Sequence, residues 1–594
     1  MLKSGLRIPS RQATLGPGAG YGTVGGATTF YAPLRTCINA WTPTGNLNPT
    51  YTRATAAYVQ DHEGVMRQVL AGEARFWGAR RVRNCVTSSQ TLSDGTYNIL
   101  AATGTGSLPT ITPNQIAPDG SNTAYRLVLN LNGGTGGADV SSLDIGATAI
   151  SNTGVRSIWA KSNTGSSVVI GLSRFGTFAG EIVTVTPVWT RVFSTPLVNT
   201  NGFTVALRGA HVITFGESGS ADITVWHPQW EDVTGQSVQT PSEYVSTGVL
   251  SAPYQGTGVD GVQYFETKLD GTLIPSTTLL GYLAEAAGTQ LVTPTASIRG
   301  LNDASWVASG GTSTTAKTST GIDAVPNSAT RVTATGANAV LMQAAPVTSA
   351  GNYVASFYIR RVTGTGNVDI TVDGGTTWST ISGSINSSTY TKVQVTRNLA
   401  LNTARIGLRL VTSGDAVDVD FAQLESGTAA TSPMSSAGAA RNGDVLSFSP
   451  TGTFNTLLGS AYIEVTLQVG APASTSYLLA TSGGAAGVMA YNAAGVGMQA
   501  TDGTNFPVAL GGVLAANTLY KCVTAWDAGG TIRLLRTGSG SVGSASCVAG
   551  GLSAGASTIV IGTAGGGGQP NGTLRNVRIY TQKLSDTQLI ALAV

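Results

Sequence analysis

Five aromatic side chains have the type and setting to hold a sugar: Trp226 and Trp230 in "ADITVWHPQWED", Trp378 in "GGTTWST", Tyr491, and Trp526 with Asp527 beside it. Saccharide binding takes a ring against the apolar face of a pyranose and polar groups for its hydroxyls. Trp and Tyr supply an apolar body with a polar edge. In "DITVWH", Ile223 and Val225 fall on one side of an extended chain, Thr224 and Trp226 on the other, so Trp226 sits on the polar side. For any single Trp among them the favoured plain reading is a cover over a sandwich end or an interdomain seam. Trp159, preceded by Ile158 and matched further along by Tyr358, is expected in the core.

Other chemistry finds weaker support. Asp415, Asp418 and Asp420 in "GDAVDVDF" gather hard oxygen ligands, but calcium needs six to eight oxygens and no EF-hand spacing is present, so these read as strand carboxylates. Glycoside cleavage needs two carboxylates about 5 to 9.5 Å apart. Glu181, Glu217, Glu231, Glu243, Glu425 and Glu464 form the pool, and nothing in the sequence marks two of them as a pair. The histidines, His62, His211 and His227, are too scattered for a zinc site or a Ser-His-Asp set. "GTAGGGGQPNG" lacks the Lys-Ser/Thr of a phosphate loop. No catalytic residue, metal ligand or cofactor is assigned, and an enzyme is not expected.

The elements that would position these residues are strands. Of 594 residues 78 are Gly and only 11% are charged, well under the roughly 25% of ordinary soluble domains, while 41% are hydrophobic, enough for real cores. Gly, Ser, Thr and Val in alternation, with few helical runs, indicate an all-β chain. A net charge of +3 gives no electrostatic case for nucleic acid, and the Arg-rich "ARFWGARRVRN" is a local solvated or partner-facing patch. No apolar run is long enough for a membrane helix, and the N-terminus lacks the apolar core of a signal peptide, so synthesis in a cytoplasm without ordinary export is expected. Cys37, Cys85, Cys522 and Cys547 have no metal spacing. Cys522 and Cys547 could pair if their strands are neighbours, though buried thiols are favoured.

The chain also repeats itself. "QIAPDGSNTAYRLVL" returns as "GIDAVPNSATRVTAT", "VRSIWAKSNTGSSVVIGL" as "YVASFYIRRVTGTGNVDITV", and "VWTRVFSTPL" as "TYTKVQVTRNL". "ADITVWHPQWEDV" returns as "AVDVDFAQLESG", setting Gln229-Trp230-Glu231 on Gln423-Leu424-Glu425. Matched blocks in one order mean two copies of one fold. The expected organisation is an extended N-terminal arm over 1–85, a jelly-roll-type antiparallel β-sandwich over 86–250, a linker over 251–289, a second copy over 290–441 and a third sandwich over 442–594. That last module ends in a helix announced by Ser585 and Gln588 as a capping box, with Leu584 and Leu589 as a staple.

"LRNVRIYTQKLSDTQLIAL" resembles the C-terminal signature of concanavalin-like, laminin-G-type jelly rolls. "YTRATAAYVQDHEGVMRQVLAGEARFWGARRVRN" and "YQGTGVDGVQYFETKLDGTLI" with "GYLAEAAGTQL" resemble segments that introduce carbohydrate-binding-like sandwiches in tailed-bacteriophage virion proteins. The resemblance implies an elongated tail fibre or adhesin that binds host surface polysaccharide. It further implies a homo-oligomer, trimeric by family habit, docked on other virion proteins through the arm, with Tyr21, Phe30, Tyr31 and Arg35 as attachment candidates. The alternatives are a head or tail decoration or scaffold protein that binds no sugar and, third, a polysaccharide depolymerase.

Overall fold

Period-two alternation is written into the backbone throughout the chain. The computed structural model describes residues 28–594 apart from 39, 43–44, 48, 148–152, 174–180, 199–201, 247–262, 293–298, 316, 344–347, 435–439, 450–453, 469–474, 482–486, 493–496, 503–513, 540, 553–557 and 565–566. Nearly all its regular structure is antiparallel strand. The chain divides into two units: residues 55–279 with 289–440, and residues 1–54 with 280–288 and 441–594.

The first unit holds the tandem repeat. Ten strands of the first copy recur in the second: β1 (Asn98–Thr103), β2 (Ser107–Gln115), β3 (Ala124–Asn130), β4 (Val140–Ile145), β5 (Thr153–Ser162), β6 (Val168–Gly171), β7 (Ile182–Val185), β8 (Thr190–Phe193), β9 (Phe203–Arg208) and β10 (Ser220–Asp232); a further short strand, Leu197–Val198, pairs with the start of β5. The ten form two sheets in the orders β2-β3-β10-β5-β8 and β7-β6-β9-β4-β1. The second copy continues with β11 (Trp306–Ser309), β12 (Thr312–Thr314), β13 (Thr330–Ala334), β14 (Ala339–Gln343), β15 (Gly351–Thr363), β16 (Val368–Thr371), β17 (Ser379–Thr380), β18 (Thr391–Leu399), β19 (Gly407–Leu410) and β20 (Ala416–Ser426). Its sheets run β12-β13-β20-β15-β18 and β17-β16-β19-β14-β11. Each strand of the second copy lies where the strand numbered ten lower lies in the first. The duplication read from the sequence is therefore a duplication of topology.

Between the facing sheets lie the residues whose alternation marked the strands. In the first copy Leu127, Leu129, Ile158, Ala160, Ile223 and Val225 meet Leu143, Ile170, Val205 and Leu207. In the second, Phe357, Ile359, Val417 and Val419 meet Leu341, Ile370, Leu408 and Leu410. Trp159 and Tyr358 belong to neither set. Ile158 and Ala160 point inward on β5, so Trp159 between them points outward, and Tyr358 does the same between Phe357 and Ile359. The expectation of Trp159 in the core fails because it assigned the opposite parity to β5.

The doubled Gln-x-Glu has a structural purpose in both copies. Gln229 Oε1 accepts from Val245 N, and Glu231 accepts from Ser242 N at 2.8 Å. Gln423 Oε1 accepts from Met434 N, and Glu425 accepts from both the N–H and the hydroxyl of Thr431. Each pair ties the segment leaving the sandwich back onto its closing strand. The entry is tied the same way. Asn84 Oδ1 accepts from Val86 N and Trp230 N, while Gln290 Oε1 accepts from Val292 N and Leu424 N.

The second unit is a further sandwich. One sheet contains Gly572–Tyr580, Leu458–Leu467, Leu519–Asp527, Thr531–Arg536 and Gly543–Ser546, and the other Val445–Phe448, Ile559–Ile561, Ser476–Thr481, Gly487–Asn492 and Gly497–Gln499. The closing helix Asp586–Ala593 has the capping box in place, Ser585 accepting from Gln588 N and Gln588 accepting from Ser585 N. Leu584, before the helix, and Leu589, on its inner side, are buried in one cluster.

The extended arm assigned to residues 1–85 does not describe residues 28–54. Thr28–Ala32 pairs with Gly572–Tyr580, and Pro49–Thr52 pairs with Val445–Phe448. Part of the segment read as a linker joins the same sheet, since Gly281–Ala284 also pairs with Gly572–Tyr580. A buried ion cluster fixes these joins: Arg53 and Tyr51 both donate to Asp444, Asp444 accepts from Glu285 N, and Arg441 lies beside Glu285 and Asp444. Composition suggested an arm because the partners of these strands lie some 400 to 550 residues away in sequence.

Candidate functional site: the outer face of the first sandwich

On the sheet containing β5 and β10, the residues that do not enter the core form rows on the outside. Trp159 is directly opposite Arg191 on β8 and Trp226 on β10. One step along, Lys161 is opposite Thr224, which is opposite Arg126 on β3. Trp189, just before β8, lies under the Lys161 ammonium, 5.5 Å from it. Cross-strand neighbours on one face bring their Cβ atoms to about 5 Å, so two half-buried indoles stand side by side in a frame of polar groups.

The indole of Trp226 is fixed from behind. Its Nε1 donates to Thr123 Oγ1 at 2.9 Å, and its ring lies on the His227 imidazole, centroids 3.4 Å apart. His227 in turn lies on Tyr244 at 3.7 Å, whose hydroxyl bonds Ser89 Oγ at 2.6 Å. This stack exists because of a β-bulge. β10 spends one residue more than β5 between the pairs Ser157–Gln229 and Trp159–Trp226, and His227 takes the extra place at φ +51°. A left-handed backbone is uncommon outside glycine, though histidine adopts it more readily than most residues, and the bulge is what accommodates it here. Burial among the rings pushes the imidazole pKa down to about 3, so His227 is neutral at ordinary pH.

The charges around the indoles are arranged unequally. Arg126 grips Asp222 with two bonds, at 2.9 and 2.5 Å, which holds that carboxylate below its usual range. Arg191 donates to Ser157 Oγ and to the Ser242 carbonyl. Burial lowers its pKa, and Glu231 and Glu243 pull the other way. The Asn163 amide bridges Thr224 and Asp222. The face thus offers flat apolar surface, an amide, hydroxyls and cations.

The same face of the second sandwich is closed. Tyr358 stands where Trp159 does, Lys392 replaces Arg191 and Asp420 replaces Trp226. Phe421 takes the bulge at φ +45°. Its ring is covered by Tyr58, centroids 5.2 Å apart, and by the Arg299 guanidinium at 4.5 Å. Arg299 also binds Asp420 and Asp323 with bonds of 2.6 to 2.8 Å. Tyr58 comes from the hairpin Ala57–Gln60/Met66–Val69, and Met66 N donates to the Ile322 carbonyl. Among the described residues, the chain covers this face of the second sandwich with its own hairpin.

Of the sequence candidates, Trp226 lies on this outer face. Trp230 is buried in the core of the first copy with Arg156 over its ring, because the bulge at His227 turns it inward. Trp526 and Tyr491 are fully buried, with Trp526 Nε1 bonded to the Asn455 carbonyl and the Tyr491 hydroxyl accepting from Leu514 N, so neither ring can meet a ligand. Asp527 pairs with Lys583 at 3.3 Å. Trp378 is half-buried under Arg409, on the opposite sheet of the second copy. Among the attachment candidates, Phe30 is buried edge-on against Phe448, Tyr31 reaches Asn576 and lies under Arg578, Arg35 is half-buried, and Tyr21 lies outside the described residues. Asp415, Asp418 and Asp420 are each ion-paired to arginine. Glu181, Glu217, Glu243 and Glu464 are paired to Arg156, His211, Arg80 and Arg575. All four cysteines are free thiols, and burial pushes Cys522 up to about 12.

Sequence reasoning missed Trp159, Trp189, Lys161 and Arg191. The first was findable: Phe357 and Ile359 flank Tyr358 in the second copy, and that pairing fixes the parity of both strands.

No family model matches the chain, and no curated protein matches it. Among solved structures, a xylan-binding domain from Paenibacillus barcinonensis is 16% identical, covering 25% of this chain and 99% of its own, with a TM-score of 0.18. A tandem of such domains from that organism is 11% identical over 60% of this chain and 99% of its own, TM-score 0.19. The Sulfolobus turreted icosahedral virus structure is 9% identical over 84% of this chain and 97% of its own, TM-score 0.15. Likenesses at this level assign neither family nor function.

Proposed function

We propose that this chain is a glycan-binding protein whose binding surface is the outer face of its first tandem sandwich. The observation that carries the reading is the cross-strand pair Trp159–Trp226, both half-buried, with Trp226 braced by the His227–Tyr244 stack. Rings held rigidly beforehand bind at lower entropic cost, and flat aromatic surface rimmed by amide, hydroxyl and cation fits a saccharide. The wider role is attachment, as a tailed-phage fibre or adhesin meeting host polysaccharide. Support for that role comes from the resemblance of residues 51–84 and 254–291 to virion proteins.

The test is affinity electrophoresis of the full chain through gels carrying surface polysaccharides. Trp159→Ala and Trp226→Ala are each expected to weaken retention by roughly two- to tenfold, the scale of about 0.5–1.5 kcal/mol for one stacking ring, while Tyr358→Ala leaves it unchanged. Titration should give one site per chain, since the second face is covered. Retention that survives the Trp159/Trp226 double variant sinks the reading. One observation favours a purely architectural role: the second sandwich already uses its equivalent face to hold a hairpin of its own chain. A chain that docks on particles but is retained by no polysaccharide would establish that role instead.

A further inference from the structure

We propose that the outer face of the first sandwich takes an acidic saccharide, of the uronic-acid type, with the sugar carboxylate seated at Lys161. This rests on the glycan reading above. The two copies supply the comparison. In the second, the Arg360 guanidinium stacks over Tyr390 at 5.0 Å and binds Asp418 at 2.8 Å. Asp418 also takes Arg331 at 2.9 Å and the Ser319 hydroxyl at 2.7 Å, so its carboxylate is fully engaged. In the first copy the cation and its ring are kept, as Lys161 over Trp189, but the position of Asp418 is held by Thr224.

Thr224 is neutral and turns its hydroxyl to Asn163. Arg126, the counterpart of Arg331, has Asp222 instead. Among the described residues Lys161 has no carboxylate within 4.0 Å, so its cation is left on the face beside the indoles without the partner that its counterpart has. Two residues along a strand is about 6.8 Å, so Lys161 is spaced from Trp159 by roughly one sugar unit. A pyranose lying on Trp159 could therefore direct a carboxyl group to Lys161, and a carboxylate bonded to an ammonium is among the stronger polar contacts. Arg191, beside Trp159, adds positive charge on the other side of that ring.

The experiment compares polygalacturonate, alginate and hyaluronate with their carboxyl-reduced, neutral forms, using the full chain at low salt, with polyglutamate as a non-saccharide polyanion. At least one acidic polymer is expected to bind about tenfold more tightly than its reduced form. Lys161→Gln should narrow that ratio to within about threefold. Thr224→Asp, which builds the second copy's own ion pair into the first, should do the same while leaving the unfolding temperature unchanged or raised. Equal binding of acidic and reduced polymers, or a ratio that survives Thr224→Asp, overturns the acid preference and leaves the glycan reading standing. Equal retention by polyglutamate overturns the saccharide assignment. Binding to none of the polymers overturns both.

Discussion

His227 shows how a single side chain is constrained by the site it supports. Its backbone is left-handed, its ring lies between Trp226 and Tyr244, and its pKa is about 3 because burial disfavours the imidazolium. The unfolded chain titrates near the ordinary 6.5, so between those values the unfolded form binds more protons than the folded one. The stability that His227 contributes is therefore complete above pH 6.5 and is lost as pH falls towards 3. The slope is at most about 1.4 kcal/mol per pH unit. Phe421 occupies the same bulge in the second copy, which makes His227→Phe the natural comparison. Denaturant unfolding at pH 7, 5.5 and 4.5 should show the wild type losing stability faster than the variant by about that slope. Parallel losses would mean that the imidazole is not the titrating group. The sequence shows an aromatic residue at both positions, 227 and 421, but bulges leave no mark in composition, so the stack was not legible.

At the scale of the element, the Gln-x-Glu sentence was legible as a strand exit but not as a clamp. Glu425 is buried beyond reach of water and accepts three hydrogen bonds, from Thr431 N, Thr431 Oγ1 and Gln423 Nε2. Burial raises its pKa, and those donors work against the rise. Glu425→Ala leaves the Thr431 amide buried without an acceptor, a loss of about 2–3 kcal/mol. Glu231→Ala should behave alike, since Ser242 N depends on it in the same way. Chemical denaturation of the two variants measures this, and a loss below about 0.5 kcal/mol in both would show the exits to be held by something else. Alternation predicted the strands themselves well, because core residues such as Ile223, Val225, Val417 and Val419 obey it without interruption. It failed at Trp230, just beyond the bulge, where one added residue reverses every side chain that follows.

Across the whole molecule, the feature that sequence could not give is which strand completes which sheet. Gly572–Tyr580 is covered along one edge by two segments distant in the chain. Gly281–Ala284 pairs with Gly572–Leu574, Thr28–Ala32 pairs with Val577–Tyr580, and between them Asn576 bulges out at φ +53°, its N–H donating to the Pro33 carbonyl. Local composition at residues 1–54 shows glycine and turns, and nothing in it names a partner near the other end of the chain. Unpaired strand edges are a liability, so a chain lacking residues 1–54 presents the 577–580 backbone as an open edge. Amide hydrogen exchange should then rise by orders of magnitude at those residues that donate across to Thr28–Ala32, while amides facing Leu458–Leu467 on the other side of the strand change less. The truncated chain should also self-associate, seen as a rise in sedimentation coefficient with concentration. An arm that only docks on a particle would leave both exchange and sedimentation untouched, which makes this deletion the measurement that separates an arm from a strand of the sandwich.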